Sequence, residues 1–164
     1  MENDTVYRVA GYVKLAKWWD RSRDKAIEYH NNYYREKFQN DPQMDLRGVY
    51  IDITGQKQIK RRPEMVRLIN DCVFGQINCI ATQTRAYLAA NNEEFFYLIH
   101  MLLTLPQPVQ IVTEDDHYHI DTIRDVGNQT EALKKMAADY VAINPKAFED
   151  WHKEILRTED KNSR

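Results

Sequence analysis

The feature that most constrains this fold is an alternation of strand and helix patterns, repeated three times before residue 114. Segments rich in β-branched and aromatic residues alternate with segments whose apolar residues recur at steps of three and four. The predicted strands are residues 7–15, 46–53, 77–82 and 109–113, and the predicted helices are 18–38, 63–74 and 92–103. Strand–helix–strand units join parallel strands, so the pattern predicts an α/β fold: a mostly parallel sheet flanked by helices.

The pattern changes at residue 127, where the strands stop. Two amphipathic stripes follow, one formed by Leu133, Met136, Ala137, Tyr140 and Val141 and the other by Phe148, Trp151 and Ile155. We therefore expect residues 1–126 to form the main domain and residues 127–164 a short helical C-terminal extension of it. An apolar stripe must be buried on its own domain or on a second chain, and we expect both helices to pack on their own domain.

Composition excludes several classes of protein. The net charge of −2 gives the whole chain no attraction for a phosphate backbone, so any contact with DNA requires a local basic patch. The longest apolar run, residues 99–105, is too short to span a membrane, and the N-terminus has no signal-peptide pattern. Cys72 and Cys79 do not form a disulfide framework, which favours reduced thiols in a cytoplasmic protein.

Four short motifs follow one another along these predicted elements. They are residues 8–14 (RVAGYVK), 48–52 (GVYID), 61–65 (RRPEM) and 75–80 (GQINCI). In this order and spacing the chain resembles the resolvase-type catalytic domain of serine recombinases, over residues 6–123. The resemblance implies a resolvase-like sheet and DNA strand exchange by a serine nucleophile. Arginines surround the phosphate in that family because the phosphoryl-transfer transition state carries added negative charge.

The resemblance places the nucleophile position on a residue without a hydroxyl. The family pattern Gly-Tyr-x-Arg-x-Ser falls on residues 11–16 (GYVKLA), so Ala16 stands at the serine position and Lys14 at the arginine position. Lysine keeps the charge but loses the bidentate fork of arginine. The family's later arginine pair falls on Tyr87 and Ala90. We therefore predict a degenerate site and no enzymatic activity.

The remaining basic residues are candidates for contact with DNA phosphates. Arg62, in the Arg-Pro motif, matches the family, and Arg85 is two residues from a lost arginine position. The candidate set is Lys14, Arg61, Arg62 and Arg85. The cluster of Lys57, Lys60, Arg61 and Arg62 also fits an ordinary solvated loop, and both interpretations stay open.

A histidine pair and a group of aromatic residues each have more than one interpretation. His117 and His119 share a face of an extended segment, but no third ligand lies nearby in sequence, so we predict neither a metal site nor a cofactor. A group of aromatic residues fits either a helix–sheet seam or base stacking. That group is Trp18, Trp19, Tyr29, Tyr33 and Tyr34.

These observations predict a catalytically inactive recombinase-like protein. The first hypothesis is an accessory protein of a mobile genetic element, with DNA or a catalytically active recombinase as partner. The alternative is a module for protein interaction or self-association, such as a homodimer, with no DNA contact. A residual enzyme would need another nucleophile, and the chain has only two serines, Ser22 and Ser163.

Overall fold

A computed structural model describes residues 5–125 and 127–162 of the chain. Its centre is a sheet of four strands in the order β2-β1-β3-β4, and every neighbouring pair is parallel. The strands are β1 (Tyr7–Leu15), β2 (Met44–Ile53), β3 (Cys79–Thr82) and β4 (Gln110–Thr113). The predicted α/β fold is confirmed, and the bounds of the first strand are those predicted.

Helices connect these strands and follow them. They are α1 (Arg23–Phe38), α2 (Pro63–Val73), α3 (Arg85–Leu88), α4 (Asn92–Thr104), α5 (Gln129–Ile143) and α6 (Pro145–Asn162). The single helix predicted over 18–38 is in fact a 3₁₀ segment, Lys17–Ser22, followed by α1. The sequence pattern did not predict α3, since four residues are too few to show a helical period. None of the described helices is long and apolar enough to cross a membrane.

The sheet is buried on both faces because α1 covers one face and α2 and α4 cover the opposite one. Val9 and Val13 of β1 pack with Tyr34 and Phe38 of α1, whereas Tyr12 packs in the larger cluster with α2 and α4. A Cβ atom added to Gly11 would lie 2.8 Å from Cδ2 of Tyr34. Glycine at this position therefore lets α1 approach the sheet closely.

The two C-terminal helices fold back on the domain, as expected. Helix α5 packs mainly against α4, and α6 packs against α2, with Ala137 and Ile155 fully buried. Met136, however, is 56% exposed. The expectation that it belongs to the buried stripe is wrong, because α5 packs through the other four stripe residues, Leu133, Ala137, Tyr140 and Val141.

Candidate functional site

The position that corresponds to the family nucleophile lies at the edge of the sheet where β1 and β2 end. Ala16 follows β1 directly and is exposed to solvent. The loop after β2 lies beside it, because Thr54 donates its backbone N–H to the carbonyl of Leu15 at 3.0 Å. In parallel α/β sheets the ligand site lies outside the carboxyl ends of the strands, and Ala16 occupies that place here.

Lys14 points its ammonium group at the same loop. Its Nζ donates to the carbonyl of Thr54 at 3.3 Å. Burial lowers the pKa of Lys14, and the positive charges of Arg62 and Lys57 lower it further, while Asp52 opposes them. Several cations therefore lie close enough at this edge to influence one another.

Arg62 lies in the interior, not on the surface. It is fully buried, and its guanidinium donates to three backbone carbonyls: Nη1 to Tyr87 at 2.7 Å and Leu88 at 3.4 Å, and Nη2 to Lys57 at 2.7 Å. Its Nε is buried without a partner. This placement corrects the expectation of an exposed arginine, since a phosphate has no access to the guanidinium in this arrangement.

Asp52, at the end of β2, joins three elements and was not singled out from the sequence. Its carboxylate accepts hydrogen bonds at 2.9 Å from the hydroxyl of Tyr12 and from the backbone N–H groups of Glu64 and Met65. It thereby caps the N-terminus of α2. Burial raises the pKa of Asp52, and these hydrogen bonds oppose that rise. An aspartate ending a buried strand run was the available sequence signal.

The basic cluster that follows β2 divides into different environments. Lys57 and Arg61 are exposed, and Arg61 lines a groove of about 570 Å³ with Arg23 and Thr54. Lys60 instead forms an ion pair with Glu154 of α6 at 2.8 Å. Lys57 and Arg61 are therefore the members of the cluster whose charged groups remain accessible.

The other sequence-predicted positions are only partly brought together. Tyr87 is half-buried and meets Arg62 through its backbone carbonyl, and Ala90 is exposed. The guanidinium of Arg85 lies over the ring of Phe95, 4.2 Å from its centroid. Its Nη1 also donates to the carbonyl of Tyr118 at 3.5 Å. Arg85 thus contacts the loop after β4, and neither of these contacts involves Lys14 or Arg62.

The remaining sequence candidates lie outside this edge. His117 and His119 are exposed in the loop after β4, and no group of three or more potential ligands is found within residues 5–125 and 127–162. Ser22 is exposed before α1, and its side chain makes no capping hydrogen bond. Ser163 lies outside the described residues.

Comparison with known proteins supports the fold. No family model matches the chain, and no curated protein matches its sequence. A search of solved structures matches the N-terminal catalytic domain of TP901-1 integrase, with a TM-score of 0.54 and 18% sequence identity. The match covers 87% of this chain and 97% of that domain. The chain therefore has the resolvase-like α/β fold of a recombinase catalytic domain.

Proposed function

We propose that this chain is a catalytically inactive recombinase-like domain that contacts DNA, or a recombinase on DNA, without cutting it. In this proposal it serves as an accessory protein of a mobile genetic element. The observation that carries the proposal is the position of Ala16. It lies exposed directly after β1, where the family nucleophile would stand, and its methyl group cannot attack phosphorus.

The cations near Ala16 support the same conclusion. Phosphoryl transfer requires donors aimed at the developing negative charge of the transition state. Lys14 offers a single ammonium that is engaged with the carbonyl of Thr54, and Arg62 is engaged with three carbonyls. Tyr87 and Ala90 supply no positive charge. The groups needed to stabilise such a transition state are thus absent or occupied.

The DNA contact is proposed through the accessible cations at the same edge. Lys57 and Arg61 are exposed, and the ammonium of Lys14 lies near the charge of Lys57. Such groups suit phosphate contacts, which position a protein on DNA without reading its sequence. They form the local basic patch that a chain of net charge −2 requires.

A second candidate function is a protein-interaction module with no DNA contact. The observation that favours it is the outer face of α5, where Met136 and Ile143 expose large apolar side chains to solvent. Neighbouring exposed apolar side chains often mark protein interfaces. The partner that fits this candidate function is a second copy of the chain, in a homodimer, or a recombinase.

The absence of cutting is tested by incubating duplex DNA with the wild-type protein and with Ala16→Ser. We expect no covalent protein–DNA adduct from either. Ala16→Ser restores the hydroxyl but not the surrounding arginines. Because catalytic residues that act together contribute non-additively to the rate, restoring one of them alone does not restore activity. The measurement is a denaturing gel of end-labelled DNA.

A denaturant-stable adduct of the wild-type protein would contradict the proposal, and Ser22→Ala would then show whether Ser22 is the nucleophile. Cleavage recovered in Ala16→Ser alone would show that Tyr87 and Ala90 do not stand at the arginine positions.

A further inference from the structure

An apolar slot opens beside the end of β1, between the Lys17–Ser22 segment and α1. We call it the aromatic slot, and its lining residues are Leu15, Trp19, Lys25, Ala26, Tyr29 and His30. Its volume is about 410 Å³, within the range of pockets that hold small organic ligands. Leu15 immediately precedes Ala16, so the slot borders the site described above.

Large aromatic side chains remain open to solvent at this slot. Tyr29 is 62% exposed, and Trp18, which is 63% exposed, stacks on Trp19 with ring centroids 4.5 Å apart and planes at 27°. Tyr34, by contrast, is fully buried in the seam between α1 and the sheet. Trp18 and Tyr29 therefore do not serve the seam, and their rings remain available to a ligand.

His30, which lines the slot, has a buried nitrogen that has no partner. His30 is only 8% exposed, and its Nδ1 has no hydrogen-bond partner. The ring meets the edge of Tyr29, with centroids 5.0 Å apart and planes at 89°. An unsatisfied buried nitrogen is costly, and it favours a turn of the ring towards the slot, where a ligand that carries both donors and acceptors can satisfy it in either tautomer.

The charged residues beside the slot include one more basic than acidic side chain. Lys25 also lines an adjoining polar groove of about 330 Å³, which contains Arg21, Arg23, Asp20 and Asp24. Arg23 pairs with Asp20 at 3.0 Å. Among the described residues no carboxylate lies within ion-pair distance of Arg21 or Lys25. Arg21 and Lys25 are therefore available to contact the phosphates of a strand whose base enters the slot.

We propose that the aromatic slot binds an unpaired base of a DNA strand. The base would stack against Trp19 and Tyr29 and offer a hydrogen-bonding edge to His30, while the flanking phosphates lie along Lys25 and Arg21. Aromatic platforms beside a positively charged groove are the physical means by which proteins hold single strands. This inference rests on the DNA contact of the proposed function and adds a preference for unpaired bases.

The test compares the variants Tyr29→Ser, Lys25→Gln and Tyr118→Ser by fluorescence anisotropy with labelled DNA. The probes are an oligothymidylate of about twelve nucleotides, an abasic strand of the same length and a duplex of the same length. Because stacking is lost, Tyr29→Ser should weaken oligothymidylate binding about fivefold or more, yet change duplex binding less than about twofold. Lys25→Gln should reduce the salt dependence of single-strand binding by about one phosphate contact.

Tyr118→Ser is the matched control. Tyr118 is 84% exposed in the loop after β4, outside the slot, so its loss should leave both affinities unchanged. Equal effects of the two tyrosine substitutions, equal binding of the abasic strand, or no binding of oligothymidylate at low salt would each overturn the slot proposal. If the wild-type protein bound oligothymidylate in a way that depends on Tyr29 but did not bind the duplex, only the proposed duplex contact would be contradicted. Circular dichroism confirms that each variant is folded.

Discussion

Replacing Arg62 with alanine is expected to lower the free energy of unfolding by about 3 to 5 kcal/mol. The substitution removes donors from the carbonyls of Lys57, Tyr87 and Leu88 and leaves a cavity, since the whole side chain is buried. Unpaired buried acceptors and a cavity each reduce stability. Urea denaturation followed by circular dichroism measures the change.

The neighbouring residue provides the control. Arg61 is exposed, so Arg61→Ala should change stability by less than about 0.5 kcal/mol. Similar denaturation midpoints for the two alanine variants would mean that Arg62 is not held in the interior by these hydrogen bonds. A weaker DNA affinity of Arg62→Ala would then report a direct phosphate contact and not a loss of folded protein.

Asp52→Ala is expected to cost about 2 to 4 kcal/mol of stability. The hydroxyl of Tyr12 and the N–H groups of Glu64 and Met65 would lose their shared acceptor. The last two belong to the first turn of α2, so the substitution also removes the cap of that helix. Loss of the desolvation cost of the carboxylate offsets part of the effect. The measurement is again urea denaturation.

Asp45 gives a matched comparison on the same strand. It is half exposed and pairs with Arg47 at 2.8 Å, and surface pairs contribute little to stability. Asp45→Ala should therefore shift stability by less than about 1 kcal/mol. If Asp52→Ala were no more harmful than Asp45→Ala, the three hydrogen bonds assigned to Asp52 would not contribute to the stability of the fold.

Local patterns predicted the α/β fold because the sheet is covered on both faces. A strand buried on both faces appears in the sequence as a short continuous run of apolar residues. In the intervening helices, apolar residues recur at steps of three and four. Residues 79–82 and 110–113 therefore lie within predicted strands, and α4 begins at Asn92, as predicted. The short α3 was missed because its four residues present no periodic face.

The candidate site was less predictable because burial depends on distant parts of the chain. An arginine in a run of basic residues is usually solvated, but the carbonyls that hold Arg62 inside come mainly from α3, about 25 residues later. The same limit applies to Trp18 and Tyr29. The sequence left a buried seam and base stacking open for both residues, and in the structure Tyr34 lies in the seam while Trp18 and Tyr29 are exposed. Only the three-dimensional arrangement distinguishes these cases.

The measurement that tests the central claim most directly is the affinity for duplex DNA across a salt series. If the two accessible cations, Lys57 and Arg61, contact about two phosphates, affinity should fall about 12-fold between about 50 and 200 mM salt. Arg61→Ala should lower the slope by about one contact. Arg47→Ala, an exposed arginine nearer the start of β2, should not change it. No binding at low salt, or a slope unaffected by Arg61→Ala, would contradict a phosphate contact at this edge and favour the protein-interaction module.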